Sequence, residues 1–256
     1  MKTVFLNPFM FYPSLMAKKY DRKEFLKKMK KKGLEVSISQ HPLILEEVTS
    51  LRDKHTKNFY FKQGLRRMGE LLTYELLRDA KVKKYPIQTP LTGTHGFKLD
   101  EQYVVIPVLR AGLPIAEGFV SVMKETEMGI ISCWRKPDLS VEVEYAKIPK
   151  TEGKHVIIID PMLATGHTLT AVRDVLKAYG KPKKFTILAV ISTVAGIEEL
   201  SKSFPKGTRV YTCALDDTEN GKDFMSIGLN SHGYIVPGLG DAGDRIYGLP
   251  KNKKIK

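Results

Sequence analysis

The sequence predicts an α/β fold, a central parallel sheet flanked by helices on both faces, and three observations carry that prediction. Five short runs are apolar without alternation: YVVIPV (103–108), GIISCW (129–134), HVIIID (155–160), FTILAV (185–190) and RVYTCA (209–214). A strand apolar on both faces is buried on both, which is the condition of a parallel sheet and not of a half-solvated antiparallel one. Helical stretches near 112–123, 166–179 and 195–203 separate the runs, giving the strand–turn–helix beat of crossover units. Ligands of such sheets settle at the carboxyl ends of the strands, so the loops there hold the candidate site.

Taken from the N-terminus, Ser14 to Lys32 reads as a strongly basic helix that Gly33 ends. A long amphipathic helix follows at 57–79, where Phe61, Leu65, Met68, Leu72 and Leu76 recur at three- and four-residue steps and belong to the core. Pro86 to Phe97 alternates polar and apolar residues around Thr92-Gly93-Thr94, the pattern of a hairpin or flap. Residues 216–229 are polar and glycine-bearing and read as a surface insertion. The expected organisation is a basic N-terminal extension (1–35), a catalytic domain (36–250) and a basic C-terminal tail (251–256).

The formal charge of +14 suggests a polyanion partner until it is located along the chain. Ten Lys/Arg against two acids in residues 1–33, with four Lys in the last six residues, account for twelve of those charges. The body is close to neutral, so nucleic acid is not an expected partner and the tails read as solvated faces. Cys133 and Cys213 lie in separate strand runs that read as buried, with no CxxC spacing, which suits a reducing, cytoplasmic location. No apolar run reaches the roughly 18–20 residues of a membrane span, and no membrane partner is expected. The N-terminal VFLNPFMFYPSLMA is broken by Asn7, Pro8 and Pro13 and lacks a small-residue cleavage site, so it reads as an extension and not a signal peptide.

The run HVIIID leads into PMLATGHT and then into the helical LTAVRDVLKAYG, with Gly180 as a stop. Small residues let successive backbone N–H groups turn inward, and a helix N-terminus adds partial positive charge, so Ala164 to Thr168 form a phosphate cradle. The Thr165 and Thr168 hydroxyls supply further donors. The lysine-bearing loop GxxxxGK[ST] has no match here. Asp160, one loop-length earlier, is placed to accept from sugar hydroxyls, and together these residues describe a ribose 5-phosphate pocket. The alternative is that Asp160 is a turn acid and Thr168 a plain helix cap.

DPMLATGHT (160–168) resembles the 5-phosphoribosyl-1-pyrophosphate (PRPP) motif of the uracil phosphoribosyltransferases. IPVLRAGLPIAEG (106–118) resembles that family's pyrophosphate-side loop and SCWRKPD (132–138) its second arginine segment. HGYIVPGLGDAGDR (232–245) matches its uracil-binding signature, and HPLILEEVTSLRDKHT (41–56) resembles its usual opening. The likeness covers about 36–248 with order and spacing kept. It implies a type I phosphoribosyltransferase fold with a hairpin flap and a C-terminal base-binding segment, and the reaction of uracil with PRPP to give UMP and pyrophosphate.

The resemblance also assigns roles. Arg110 and Arg135 bind pyrophosphate, where paired guanidinium hydrogen bonds strengthen as charge develops. Asp160, Pro161, Met162, Leu163, Ala164, Thr165, Gly166, His167 and Thr168 bind the ribose phosphate. Ile235, Gly240, Asp241 and Ala242 read the uracil edge through the main chain, with Tyr234 and Pro237 shaping the pocket. Arg110, Arg135, Asp160 and Asp241 form the catalytic set, and Asp241 meets Mg²⁺ mainly through PRPP, because magnesium prefers substrate phosphates plus one or two carboxylates. His167 departs from the small residue the family usually carries, and its ring is read as solvent-facing. The implied assembly is a homodimer or higher even homo-oligomer, and a GTP effector is admitted.

Gly238, Gly240 and Gly243 also spell GxGxxG, but only 13 residues follow Gly243, too few for the second strand and acid of a dinucleotide fold. Two rivals remain: a transferase for another nucleobase, and an RNA-binding regulator on the same scaffold, whose affinity would fall steeply with salt.

Overall fold

The computed structural model describes residues 21–135, 140–217, 224–226 and 228–248. The first twenty residues of the extension, the tail 251–256, the Arg135 side chain and half of the 216–229 insertion lie outside the described residues. The chain begins with helix α1 (Arg22–Lys31), strand β1 (Leu34–Ile38), helices α2 (Pro42–Arg52) and α3 (Asn58–Leu76), and the ribbon β2 (Val82–Gln88) and β3 (Gly93–Leu99). The crossover units follow: β4 (Tyr103–Leu109), α4 (Leu113–Val122), β5 (Glu127–Met128), β6 (Ile130–Arg135) and β7 (Val141–Lys147). Then come β8 (His155–Ile159), β9 (Met162–Leu163), α5 (His167–Leu176), β10 (Lys184–Thr193), α6 (Val194–Ser203) and β11 (Thr208–Asp216). Short β12 (Phe224–Ser226), β13 (Leu229–Asn230) and α7 (Ala242–Tyr247) close the described chain.

The main sheet runs β1-β11-β10-β8-β4-β6-β7, with β5 beside β4 and β9 beside β10. All its pairings are parallel except β6 with β7. From β4 the chain travels to β6 and β7, and from β8 it travels the other way to β10 and β11. The strand order therefore reverses between the adjacent strands β4 and β8, and a crevice opens at their carboxyl ends.

Period-two alternation sorts each central strand between two cores. Ile157 and Ile159 of β8 pack with α2, α3, α4 and α7, while Val156 and Ile158 pack with α1, α5 and α6. Both faces are apolar because both are covered, which is why the strand runs do not alternate in sequence. The five apolar positions of α3 are all buried, each contributing roughly 1.5–3 kcal/mol of transfer free energy. Helices α3 and α4 touch backbone to backbone: a Cβ on Gly69 would sit 2.0 Å from the Ile115 carbonyl oxygen, and one on Gly118 would sit 2.0 Å from that of Arg66.

Several local expectations change. Ribbon β2–β3 spans more than Pro86–Phe97, and its turn lies at Thr89–Thr92, with Gly93 and Thr94 already in β3. The Thr89 hydroxyl decides this, accepting from the Thr92 N–H at 3.0 Å and donating to the Thr92 carbonyl at 2.8 Å. Cys213 is buried, but Cys133 is only half-buried because β6 is near the sheet edge and faces the crevice. The bounds of the 216–229 insertion are not surface: Asp216 is 5% exposed and Leu229 1%.

Candidate active site

Loops from β4, β6, β8 and the C-terminal segment enclose a cavity of about 500 Å³ at the strand reversal. Asp160, Pro161, Met162, Ala164 and Thr168 line one side, Leu109, Ala111, Cys133 and Trp134 another, and Tyr234, Asp241 and Ala242 a third. The phosphate loop and the base segment, separated by some seventy residues of sequence, thus face one space.

The loop after β8 is fixed from beneath. Met162 and Leu163 pair with Ile191 and Ser192 of β10, and the Thr193 hydroxyl donates to the Ala164 carbonyl at 2.6 Å while accepting from the Gly196 N–H at 3.0 Å. Asp160 accepts from the Met162 N–H at 3.2 Å, so it does shape its own turn while lining the cavity. Gly166 caps α5 at φ 83°, and a Cβ there would lie 2.9 Å from the Glu199 Cβ. Only glycine takes this position without strain. The Thr165 hydroxyl is buried with no hydrogen-bond partner among the described residues, a donor the loop leaves over. His167 opens α5 on the exposed surface.

Arg110 follows β4 across a cis Leu109–Arg110 peptide bond. Its guanidinium lies over the Tyr247 ring at 5.1 Å and 4.0 Å from an Asp244 oxygen, with half of the side chain exposed. Arg110 does not itself line the cavity; helix α7 sets it beside Gly243, which does, and next to Asp241, which caps that helix by accepting from the Asp244 N–H at 2.9 Å. The backbone of Arg135 ends β6, two strands from β8. The Cys133 thiol is pushed up to about 12, first by burial and then by the Asp160 and Glu144 charges, which favours its protonated form.

Ile235 and Gly240 do not line this cavity. Ile235 is buried in the core beneath the segment, and Gly240 lines a neighbouring space of about 430 Å³ beside Arg52, Asn58 and Arg245. Sequence reasoning missed what holds the segment in place. Asp216, at the end of β11, takes both terminal nitrogens of Arg52 (2.9 and 2.5 Å) and the Gly238 N–H (2.9 Å), and Arg52 donates to the Gly238 carbonyl at 2.7 Å. Arg245 stacks on Phe61 at 4.1 Å and donates to the carbonyls of Leu51, Leu239 (2.8 Å) and Asp53 (2.6 Å). The acid ending RVYTCALD was the available signal, being a strand-end carboxylate of the same kind as Asp160.

Two carboxylates, Asp160 and Asp241, face the cavity, and the described residues contain no cluster of three His, Cys, Asp or Glu arranged for a metal. This donor set fits a magnesium ion held chiefly by a substrate's phosphate oxygens and waters.

A family model described as uracil phosphoribosyltransferase matches residues 38–249. Among curated relatives, the uracil phosphoribosyltransferase of Thermococcus sibiricus is 38% identical over 219 residues, covering 84% of this chain and 90% of that one. Those of Methanococcus vannielii (39% over 219 residues, 84% and 90%) and Finegoldia magna (39% over 216 residues, 83% and 98%) are similar to the same extent. A solved structure, the AQ2163 protein from Aquifex aeolicus, superposes with a TM-score of 0.76 at 32% identity, covering 85% of this chain and all of that one.

Proposed function

The chain belongs to the uracil phosphoribosyltransferase family, and from that premise we propose that its cavity joins uracil to PRPP, releasing pyrophosphate and giving UMP. The observation that carries the reading is the single space lined by Asp160, Ala164 and Thr168 on one side and Tyr234, Asp241 and Ala242 on the other. The phosphate loop and the base segment therefore face each other across one space, as joining a sugar phosphate to a base requires.

In this reading the 5′-phosphate takes the backbone donors of 165–168 at the α5 N-terminus, the Ala164 N–H being held by the Met162 carbonyl at 3.0 Å, with the Thr165 hydroxyl as the donor the fold leaves unused. Asp160 accepts from the ribose hydroxyls. Arg110, and Arg135 from the end of β6, receive the pyrophosphate, whose charge grows as the C1′–oxygen bond breaks and the bond from uracil nitrogen to C1′ forms. The uracil proton leaves to solvent or to Asp241. The main chain around 235–242, held by Asp216 and Arg245, reads the base edge, and a base with exchanged donors leaves buried groups unpaired at about 1–3 kcal/mol each. Asp241 and Asp160 are the carboxylates that would help hold Mg²⁺, which, bound chiefly through PRPP, would supply neutralisation of the pyrophosphate charge.

The tail boundary at 250 belongs to the same proposal, as does a cytoplasmic location; the boundary expected at 35 would cut β1, which pairs with β11, and leave out α1, whose Phe25 and Met29 are in the core, so the catalytic domain takes in α1. Among the described residues no helix is long and apolar enough to cross a membrane. Assembly as a homodimer is supported by ribbon β2–β3, where all seven β2 residues are exposed and a lone two-stranded ribbon is marginal in water. Sedimentation tests that assembly, and titrating GTP at subsaturating PRPP tests the effector. The decisive assay is steady-state UMP formation from uracil and PRPP with Mg²⁺ beside Arg110→Ala; turnover confined to guanine or hypoxanthine overturns the base assignment.

A further inference from the structure

Trp134, the chain's single tryptophan, lines the cavity at the strand reversal and takes no part in holding it together. It is 58% exposed, and its indole N–H has no hydrogen-bond partner among the described residues. A solitary exposed ring on an outer surface is ordinary, but this one stands on a cavity wall with a free donor. Its position follows from the strands. β4 and β6 pair in parallel through Val108 with Ile131 and Leu109 with Ser132. Beyond that pair one chain continues into Arg110 and Ala111 and the other into Cys133 and Trp134, so the two segments leave the sheet side by side. Ile131 lies in the core covered by α5 and Cys133 packs against that core, so period two turns Trp134 to the opposite face, the one that carries α4 and α7. A register slip against β7, where Ser132 meets Tyr145 but Cys133 meets Val143, adds local twist just before the tryptophan.

The indole N–H donates and cannot accept, which suits a ligand group made only of acceptor oxygens. Trp134 is followed directly by Arg135 and shares its wall with Leu109 and Ala111 on either side of Arg110, while the base segment forms a different wall. We propose, resting on the reading of the cavity as a PRPP site, that Trp134 is a pyrophosphate contact: its indole N–H donates to a pyrophosphate oxygen and its ring shields the leaving group from water. Guanidinium contacts to an anion strengthen where water is excluded, so the ring serves the two arginines as well as the pyrophosphate. Phenylalanine at 134 keeps the cover without the donor, and alanine keeps neither.

Because the chain has one tryptophan, its emission reports on this wall alone. Magnesium pyrophosphate, at concentrations that calorimetry shows to be saturating, is expected to shift the emission of the full chain, and ribose 5-phosphate and uracil to leave it. Trp134→Phe raises KM for PRPP and the calorimetric Kd of magnesium pyrophosphate by roughly ten- to hundredfold, the value of one hydrogen bond to a charged group, with KM for uracil and Tm near those of the parent. Trp134→Ala weakens both further and lowers kcat, since water then reaches the leaving group. A purely structural role would move Tm and leave the pyrophosphate Kd where it was. The proposal is overturned if bound pyrophosphate leaves the emission unmoved, if uracil or ribose 5-phosphate moves it as much, or if Trp134→Phe binds pyrophosphate like the parent. The PRPP reading fails separately, by a parent chain that forms no UMP; the emission and calorimetric arms need no turnover and decide the contact in either case.

Discussion

Replacing Asp216 with asparagine changes one oxygen to an amide and tests what holds the C-terminal segment over the cavity. The Asp216 Oδ2 serves two donors, Arg52 Nη1 and the Gly238 N–H, so the asparagine carbonyl takes that position. Its NH₂ then faces Arg52 Nη2, donor against donor, where Oδ1 had accepted at 2.5 Å. One hydrogen bond to a charged group, worth about 1.5–3 kcal/mol, is lost together with the neutralising charge. Removing a partner from a fully buried pair costs about 3–5 kcal/mol. Arg52 is 24% exposed and keeps the Gly238 carbonyl, so the lower end applies, about 3 kcal/mol. At about 2–4 °C per kcal/mol for a chain of this size, Tm falls by about 6–12 °C. Urea titrations of Asp216→Asn, Arg52→Met and the double variant give the coupling, expected near 2 kcal/mol. With Arg52 Nη2 unanchored, the arginine that grips the Gly238 carbonyl loosens, and KM for uracil rises more than KM for PRPP. A coupling below about 0.5 kcal/mol, or equal effects on the two KM values, refutes the view that this pair positions the base segment.

Thr165→Val removes a hydroxyl with no partner among the described residues, so stability holds or rises slightly while KM for PRPP climbs about ten- to hundredfold, the value of one hydrogen bond to a charged group. A loss of stability with unchanged KM would mean the hydroxyl serves the fold. Arg110→Ala lowers kcat for UMP formation by about 10²–10³ with Tm nearly unmoved, because its 4.0 Å contact to Asp244 is half-exposed and contributes under about 1 kcal/mol. Gly166→Ala, at φ 83°, costs about 1–3 kcal/mol and raises KM for PRPP, measured by urea unfolding and initial rates. His155, buried against Thr186, is held down to about 4, chiefly by burial against the pull of Glu101. Below pH 6.5 the unfolded chain binds a proton that the folded one refuses, so stability drops as pH falls from 6.5 towards 4. Glu101, held down to about 2 by Lys184 and Lys183 despite partial burial, adds a loss from pH 4.5 towards 2. Thermal scans of the parent and His155→Gln separate the two windows: the upper one flattens in the variant.

What could be read from the sequence was what repeats along the chain. The strand runs stand out because both faces of each strand are covered, and α3 because its apolar positions recur within one helix. The cradle at 164–168 was legible because a strand end, small residues and a helix start are contiguous. What escaped depends on contacts between distant residues: Arg52 meets Asp216 across 164 positions and Arg245 meets Leu51 across 194. The ribbon turn was misplaced by about three residues because the Thr89 hydroxyl outweighed the glycine at 93. Cys133 was misjudged because an apolar run does not show that its strand lies next to an edge and opens on a cavity.

The contact between α3 and α4 has a consequence for how this protein can diverge. Gly69 and Gly118 each receive the other helix's carbonyl at a distance that leaves no room for even a methyl group. The two rods are keyed together like meshed teeth, and α4 starts two residues after Ala111, on the loop that carries Arg110. Drift by gradual side-chain replacement is therefore closed to that loop: its setting is inherited whole or lost. Variation in which base is accepted has to arise on the far wall, where side chains of α2, β11 and α7 hold the segment and single exchanges can move it.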